Sequence, residues 1–164
     1  MRRAAVALAL TLALALAGPA FAGGDVGEVA PAIQLKKLGG GDVSLADHAG
    51  RAVVLCFFAT WSKASVEQLR ELVPLHRQGT AVLGICLDVG GDEAVARTVE
   101  REGIPMPIAL GGGDADLARA YALEKLPTVV VVSKDGRIAA RFDGFKDPAA
   151  VKAAVDRLAA PAGR

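Results

Sequence analysis

The sequence is poor in the residues that most often carry metal and redox chemistry. It has 2 cysteines and 2 histidines among 164 residues, too few for a disulfide-rich scaffold or for most structural zinc sites. Aromatic residues make up 4%, and Trp61 is the single tryptophan. No charge of one sign prevails. Lys and Arg total 19 against 18 Asp and Glu, so the chain lacks the broad basic field that binds a phosphate backbone, and nucleic acid is not an expected partner. What it has in quantity is apolar residues, 52% of the total with 23% charged, a balance that suits one compact domain.

The first 22 residues read as an export signal. Arg2 and Arg3 precede an Ala, Leu and Val run from Ala4 to Ala17, and Ala20-Phe21-Ala22 supplies the small-x-small pattern that a signal peptidase cleaves. The run is shorter than the roughly 20 residues a spanning helix needs. The expectation is a signal peptide at 1–22 and a folded domain at 23–164, periplasmic or secreted and free of the membrane after cleavage.

Beyond the leader, apolar strand-like runs alternate with amphipathic stretches. Ala32 to Lys37 and Val43 to Leu45, joined by Gly39-Gly40-Gly41-Asp42, read as a hairpin. The continuous apolar run Ala52 to Phe58 predicts a strand buried on both faces. Ser62 to Gln78 repeats apolar residues at helical spacing, with Pro74 expected to kink or end the helix. A second strand is predicted over Ala81 to Leu87, and a helix capped by Asp92 with Ala94, Val95 and Val99 inward. Ile104 to Leu110 contains two prolines and reads as an edge or irregular strand. A short helix from Asp114 or Asp116, a strand and hairpin over Thr128 to Phe142, and a helix from Asp147 or Pro148 to Ala159 complete the chain. The pattern is that of an α/β sheet covered by helices on both faces.

Three stretches are more specific. Gly27 to Pro31, Val43 to Gly50 and Val53 to Trp61 resemble the opening of exported thioredoxin-like proteins of the TlpA/ResA type, relatives of the AhpC/TSA redoxins. Ala120 to Thr128 and Ser133 to Arg137 resemble that family's proline loop and hairpin. The resemblance implies a thioredoxin fold, a central mixed sheet flanked by helices with an N-terminal β-hairpin extension. It also implies a reactive W-C-x-x-C motif where the central strand enters its helix.

Here that motif reads Trp61-Ser62-Lys63-Ala64-Ser65, without either thiol. Dithiol exchange needs a thiolate of lowered pKa and a second thiol to resolve the mixed disulfide, and a serine hydroxyl supplies neither. Gln68 and Arg70 also stand where the family commonly has an acid and a proline. A serine nucleophile would need a histidine base, yet His76 lies about four turns along the same helix from Ser62. Capping explains the serines better, with Ser65 and Gln68 fitting a capping box and Ser62 also able to accept at the helix start.

Cys56 and Cys86 each lie inside an apolar strand. Two readings stay open for them: buried free thiols, or a strained bridge between neighbouring strands. By resemblance, Leu126-Pro127-Thr128 forms a cis-proline platform that pairs with an extended substrate segment, and Trp61 and Ser62 stand beside it as contact residues. The expectation is an exported partner-binding module taking an extended peptide or an exported protein, with a degenerate redox motif. The alternative is an oxidoreductase or peroxidase-like redoxin using Cys56 or Cys86. No metal or cofactor is expected, because the cysteines that copper carriers on this fold use are missing.

Overall fold

The computed structural model describes residues 24–160, so the export leader assigned to 1–22 lies outside the described residues. Within them, β1 (Gln34–Lys37) and β2 (Asp42–Ser44) form the expected hairpin, and β3 (Val53–Phe58) leads into α1 (Lys63–Arg77). Then come β4 (Ala81–Cys86), α2 (Asp92–Arg101), β5 (Ile108–Leu110), α3 (Ala115–Ala120), β6 (Thr128–Val132), β7 (Ile138–Asp143) and α4 (Pro148–Ala159). The seven strands make one mixed sheet in the order β2-β1-β5-β4-β3-β6-β7, with β3, β4 and β5 parallel and the other pairings antiparallel. This is the thioredoxin fold with an N-terminal hairpin added at one side.

Every residue of β3 is buried, which accounts for its unbroken apolar sequence. Alternation along the strand sends Val54, Cys56 and Phe58 to one face, against Leu69 and Leu72 of α1 and Val151 of α4. Val53, Leu55 and Phe57 face the other side with Leu117 and Tyr121. Tyr121 stacks obliquely on Phe57 with ring centroids 4.8 Å apart, and its hydroxyl donates to the Pro31 carbonyl at 2.6 Å. That bond fixes the segment leading into β1 against the second face.

Several local expectations are corrected. α1 runs on through Pro74 to Arg77: Pro74 lies one turn from the helix end, and its exposed ring costs the helix one backbone bond without turning the chain. α2 is not capped by Asp92, which is its first residue; Gly91 holds the cap position with φ +82° and no side-chain bond. Ala94 is exposed and Val95 alone is fully buried on that helix. β5 is not an edge strand, because β1 pairs with its outer side. Its prolines precede the paired segment, where a missing N–H costs no ladder bond. Leu45 opens a 3-10 turn, Leu45–His48, in place of extending β2; Ser44 and Asp47 close a reciprocal cap there.

One glycine fixes the loops at the end of β4. A Cβ on Gly112 would lie 1.6 Å from the Asp88 carbonyl oxygen, so only glycine lets the loop after β5 pass the end of β4. Gly112→Ala is predicted to destabilise the fold by about 3 kcal/mol or more, at the upper end of overpacking costs. Denaturant unfolding checks this; an unchanged midpoint would contradict the close approach.

Candidate functional site

The ends of β3, β4 and β7 and the start of β6 meet at one pole of the sheet. β3 pairs with β6 in the register Phe57 to Thr128, so the segment before β6 lies alongside the exit of β3. The same pole receives the end of β7, where Gly144 donates its N–H to the Pro127 carbonyl at 2.8 Å. The Leu126–Pro127 peptide bond is cis. Thus the loop that carries Trp61 and Ser62 and the segment Leu126-Pro127-Thr128 lie at the same pole of the sheet.

The loop from β3 to α1 is anchored from beneath. Asp88, just past β4, accepts the Thr60 N–H at 3.0 Å and also the Thr60 hydroxyl. With the chain held there, Trp61 projects into solvent, 77% exposed. Ser62 caps α1 by accepting the Ser65 N–H at 3.3 Å. Lys63 is exposed in the first turn and Ala64 is half-buried.

The predicted capping box between Ser65 and Gln68 does not form. Ser65 lies one turn inside the helix, fully buried, and its hydroxyl has no hydrogen-bond partner among the described residues. Gln68, also fully buried, reaches across to the β7–α4 connection: its Oε1 accepts the Lys146 N–H at 2.6 Å and its Nε2 donates to the Lys146 carbonyl at 3.1 Å. A carboxamide offers both a donor and an acceptor, which this backbone pair requires. A carboxylate, the family's common group at this place, would supply only acceptors.

Around the proline loop, the Thr128 hydroxyl donates to the Lys125 carbonyl at 2.7 Å, with the Asp143 carboxylate at 3.2 Å. Arg141 holds that carboxylate below its ordinary pKa, chiefly by hydrogen bonding. Leu126 is half-buried, and its backbone N–H and C=O make no hydrogen bond among the described residues. An extended segment laid beside it could satisfy both.

The cysteines lie elsewhere. Cys56 pairs with Gly84 across β3 and β4, while Cys86 pairs with Phe58. Their side chains share a face but are offset by two residues, which sets their alpha carbons roughly 8 Å apart by strand geometry, beyond disulfide reach. The strained bridge weighed above is therefore not formed, and both are free and buried. Burial pushes each thiol up to about 12, so neither supplies thiolate near neutral pH. Neither histidine approaches the serines: His48 ends the 3-10 turn at the opposite pole, and His76 is near the far end of α1. Among the described residues no three His, Cys, Asp or Glu converge as metal ligands.

Fold and site together define a thioredoxin-like protein of the redoxin class. The chain matches the AhpC/TSA family over residues 26–141 and belongs to it, as a TlpA/ResA-type member. It is similar to the thiol-disulfide oxidoreductase ResA of Geobacillus thermodenitrificans, 33% identical over 118 residues covering 69% of this chain and 66% of the relative. It is also similar to ResA of Bacillus anthracis, 28% identical over 124 residues covering 73% and 70%. The chain thus spans just under two thirds of the Geobacillus relative's length. Among solved structures, a DsbF homologue from Corynebacterium diphtheriae superposes with TM-score 0.73 at 24% identity, over 79% of this chain and 85% of that one. A secreted thiol-disulfide isomerase from Corynebacterium glutamicum gives 0.71 at 21%, over 80% and 84%.

Sequence reasoning missed Asp88 and the role of Gln68. A signal existed for Gln68: it is a polar residue on the stripe that also carries Ser65, Leu69, Leu72 and Leu75, all buried. Gln68→Leu, which strips both partners from Lys146, should cost about 2 kcal/mol. Ser65→Ala, which removes a buried hydroxyl that bonds nothing, should be neutral or stabilising. Thermal unfolding of the two variants checks the contrast; equal losses would show that Gln68 is not the tie.

Proposed function

We propose that this chain is an exported, redox-inactive thioredoxin-fold module that binds an extended peptide segment or an exported protein partner at the Trp61–proline-loop pole. The observation that carries the proposal is the pair of serines at the mouth of α1. Ser62 is engaged as a helix cap and Ser65 is sealed beneath it, so the position that is a dithiol in the ResA-type pattern holds no sulfur. The remaining thiols are sealed in the core, 0% and 1% exposed at Cys56 and Cys86. Burial of this kind counts against an oxidoreductase or peroxidase reading through either one, since such chemistry begins with an accessible thiolate.

Several features favour binding. Trp61 and Val89, at the ends of β3 and β4, are 77% and 84% exposed, and Phe145, just past β7, is 47% exposed. These large apolar side chains are at the same pole as the unpaired backbone of Leu126, so a partner strand laid there would gain main-chain bonds and apolar contacts. Export fits the leader sequence, and no helix among the described residues is long and apolar enough to cross a membrane.

The test pairs activity with capture. In an insulin-reduction assay the chain should show no turnover above background, whereas the double variant Ser62→Cys and Ser65→Cys should gain it. From an extract of its own compartment, the chain should retain a partner that Trp61→Ala loses, with stability changed by less than about 0.5 kcal/mol, as for most exposed sites. Turnover by the unaltered chain would overturn the redox half. Equal retention by Trp61→Ala would overturn the binding half.

A further inference from the structure

The opposite pole carries a feature with no part in that reading. Between the start of β3 and the end of β6 lies a cavity of about 580 Å³, within the range of about 300–1,000 Å³ usual for small-molecule sites. It is roughly 17 Å along β3 from the Trp61 loop, counting the rise per residue of a strand. Its floor is apolar: Val29, Pro31, Leu45, Val53 and Val132. Val29 is 54% exposed, a large apolar side chain of the lining left open to solvent.

The polar groups are at the rim and mostly of one sign. Arg51 and Lys134 both line the cavity, and neither has an acidic partner among the described residues. Arg51 meets only the His48 ring, its Nη2 donating to Nδ1 at 3.1 Å, which leaves most of its five donors free. Partial burial first, and Arg51 second, lower the His48 pKa, and an imidazole in either protonation state carries no negative charge to offset the guanidinium. The acids nearby are already engaged. Asp135, which itself lines the cavity, accepts the Ser133 hydroxyl and lies 3.9 Å from Arg137, and Asp47 accepts the Ser44 N–H at 3.0 Å. A ligand that fits has an apolar body for the floor and an anion for the two free cations.

We propose that this cavity binds an amphipathic monoanion, an apolar chain or ring system ending in a carboxylate, with Arg51 and Lys134 holding the carboxylate and the apolar body lying on Val29, Leu45, Val53 and Val132. The guanidinium can take the carboxylate through two parallel bonds, and the body gains free energy by leaving water. Because β3 and β6 run from this cavity to the Trp61 pole, the two sites lie on the same strands without sharing a residue.

The experiment is calorimetric titration of the full chain with dodecanoate, held below its micelle concentration, beside dodecanol and dodecyltrimethylammonium. Dodecanoate should saturate one site per chain. The double variant Arg51→Gln and Lys134→Gln should weaken it about tenfold or more, as the loss of charge-assisted bonds implies, and leave dodecanol unchanged. Ala46→Phe, at an exposed lining position, should block dodecanoate and dodecanol alike, with far-UV circular dichroism confirming that all variants are folded. No saturable dodecanoate binding would overturn the proposal. So would equal affinity for the cationic amphiphile, or an unchanged affinity in the folded double variant.

Discussion

Burial of β3 on both faces is the constraint on which the rest of the molecule depends. Six consecutive apolar side chains leave water there, the five Val, Leu and Phe each stabilising by about 1.5–3 kcal/mol, and the flanking strands and helices are what they leave water for. A strand so enclosed can present chemistry only at its ends. At its exit it delivers Trp61 and the cap of α1 beside the proline loop; at its entrance it delivers Val53 to an apolar cavity.

The same constraint governs the sulfur atoms. Cys56 sits in the middle of β3 and Cys86 at the end of its parallel neighbour, on the face covered by α1. There a thiol behaves as a small apolar side chain. What a dithiol would do at the mouth of α1 is replaced by polar groups that tie structure together. Ser62 caps the start of the helix, and Gln68 binds the backbone of Lys146, so α1 is tied to the β7–α4 connection. Asp88 does the same for the ends of β3 and β4 through Thr60. The pole is thereby built as a firm surface with an unpaired stretch of backbone at Leu126.

Local patterns in the sequence were enough to read much of this. The apolar runs of β3 and β6 need no partner to be recognised as buried, and the hairpin turns carry their glycines. That the Trp61-Ser62 loop and the Leu126-Pro127-Thr128 segment share a pole was legible because two short motifs flank strands that pair in this fold. What was illegible depends on distance along the chain. Gln68 and Lys146 are 78 residues apart and Thr60 and Asp88 are 28 apart, and no periodicity links either pair. Ser62 and Ser65 are equivalent under a local capping rule; the point at which Asp88 holds the strand exit decides between them. β5 looked like an edge because its prolines suggested one, and only the arrival of the N-terminal hairpin beside it made it internal. The far cavity is assembled from three separate stretches around Val29, Leu45 and Val132, none distinctive alone.

In the proposed reading, oxygen at the mouth of α1 and sulfur kept in the core leave a fold that binds without transferring electrons. The measurement that tests it most directly is the intact mass of the native chain equilibrated across a glutathione redox series, with the unfolded chain as the reactive control. The native chain should keep one unchanged mass at every poise and gain glutathione adducts or lose two hydrogens only once it is unfolded. A mass change in the folded protein, tracking the redox poise, would contradict that reading.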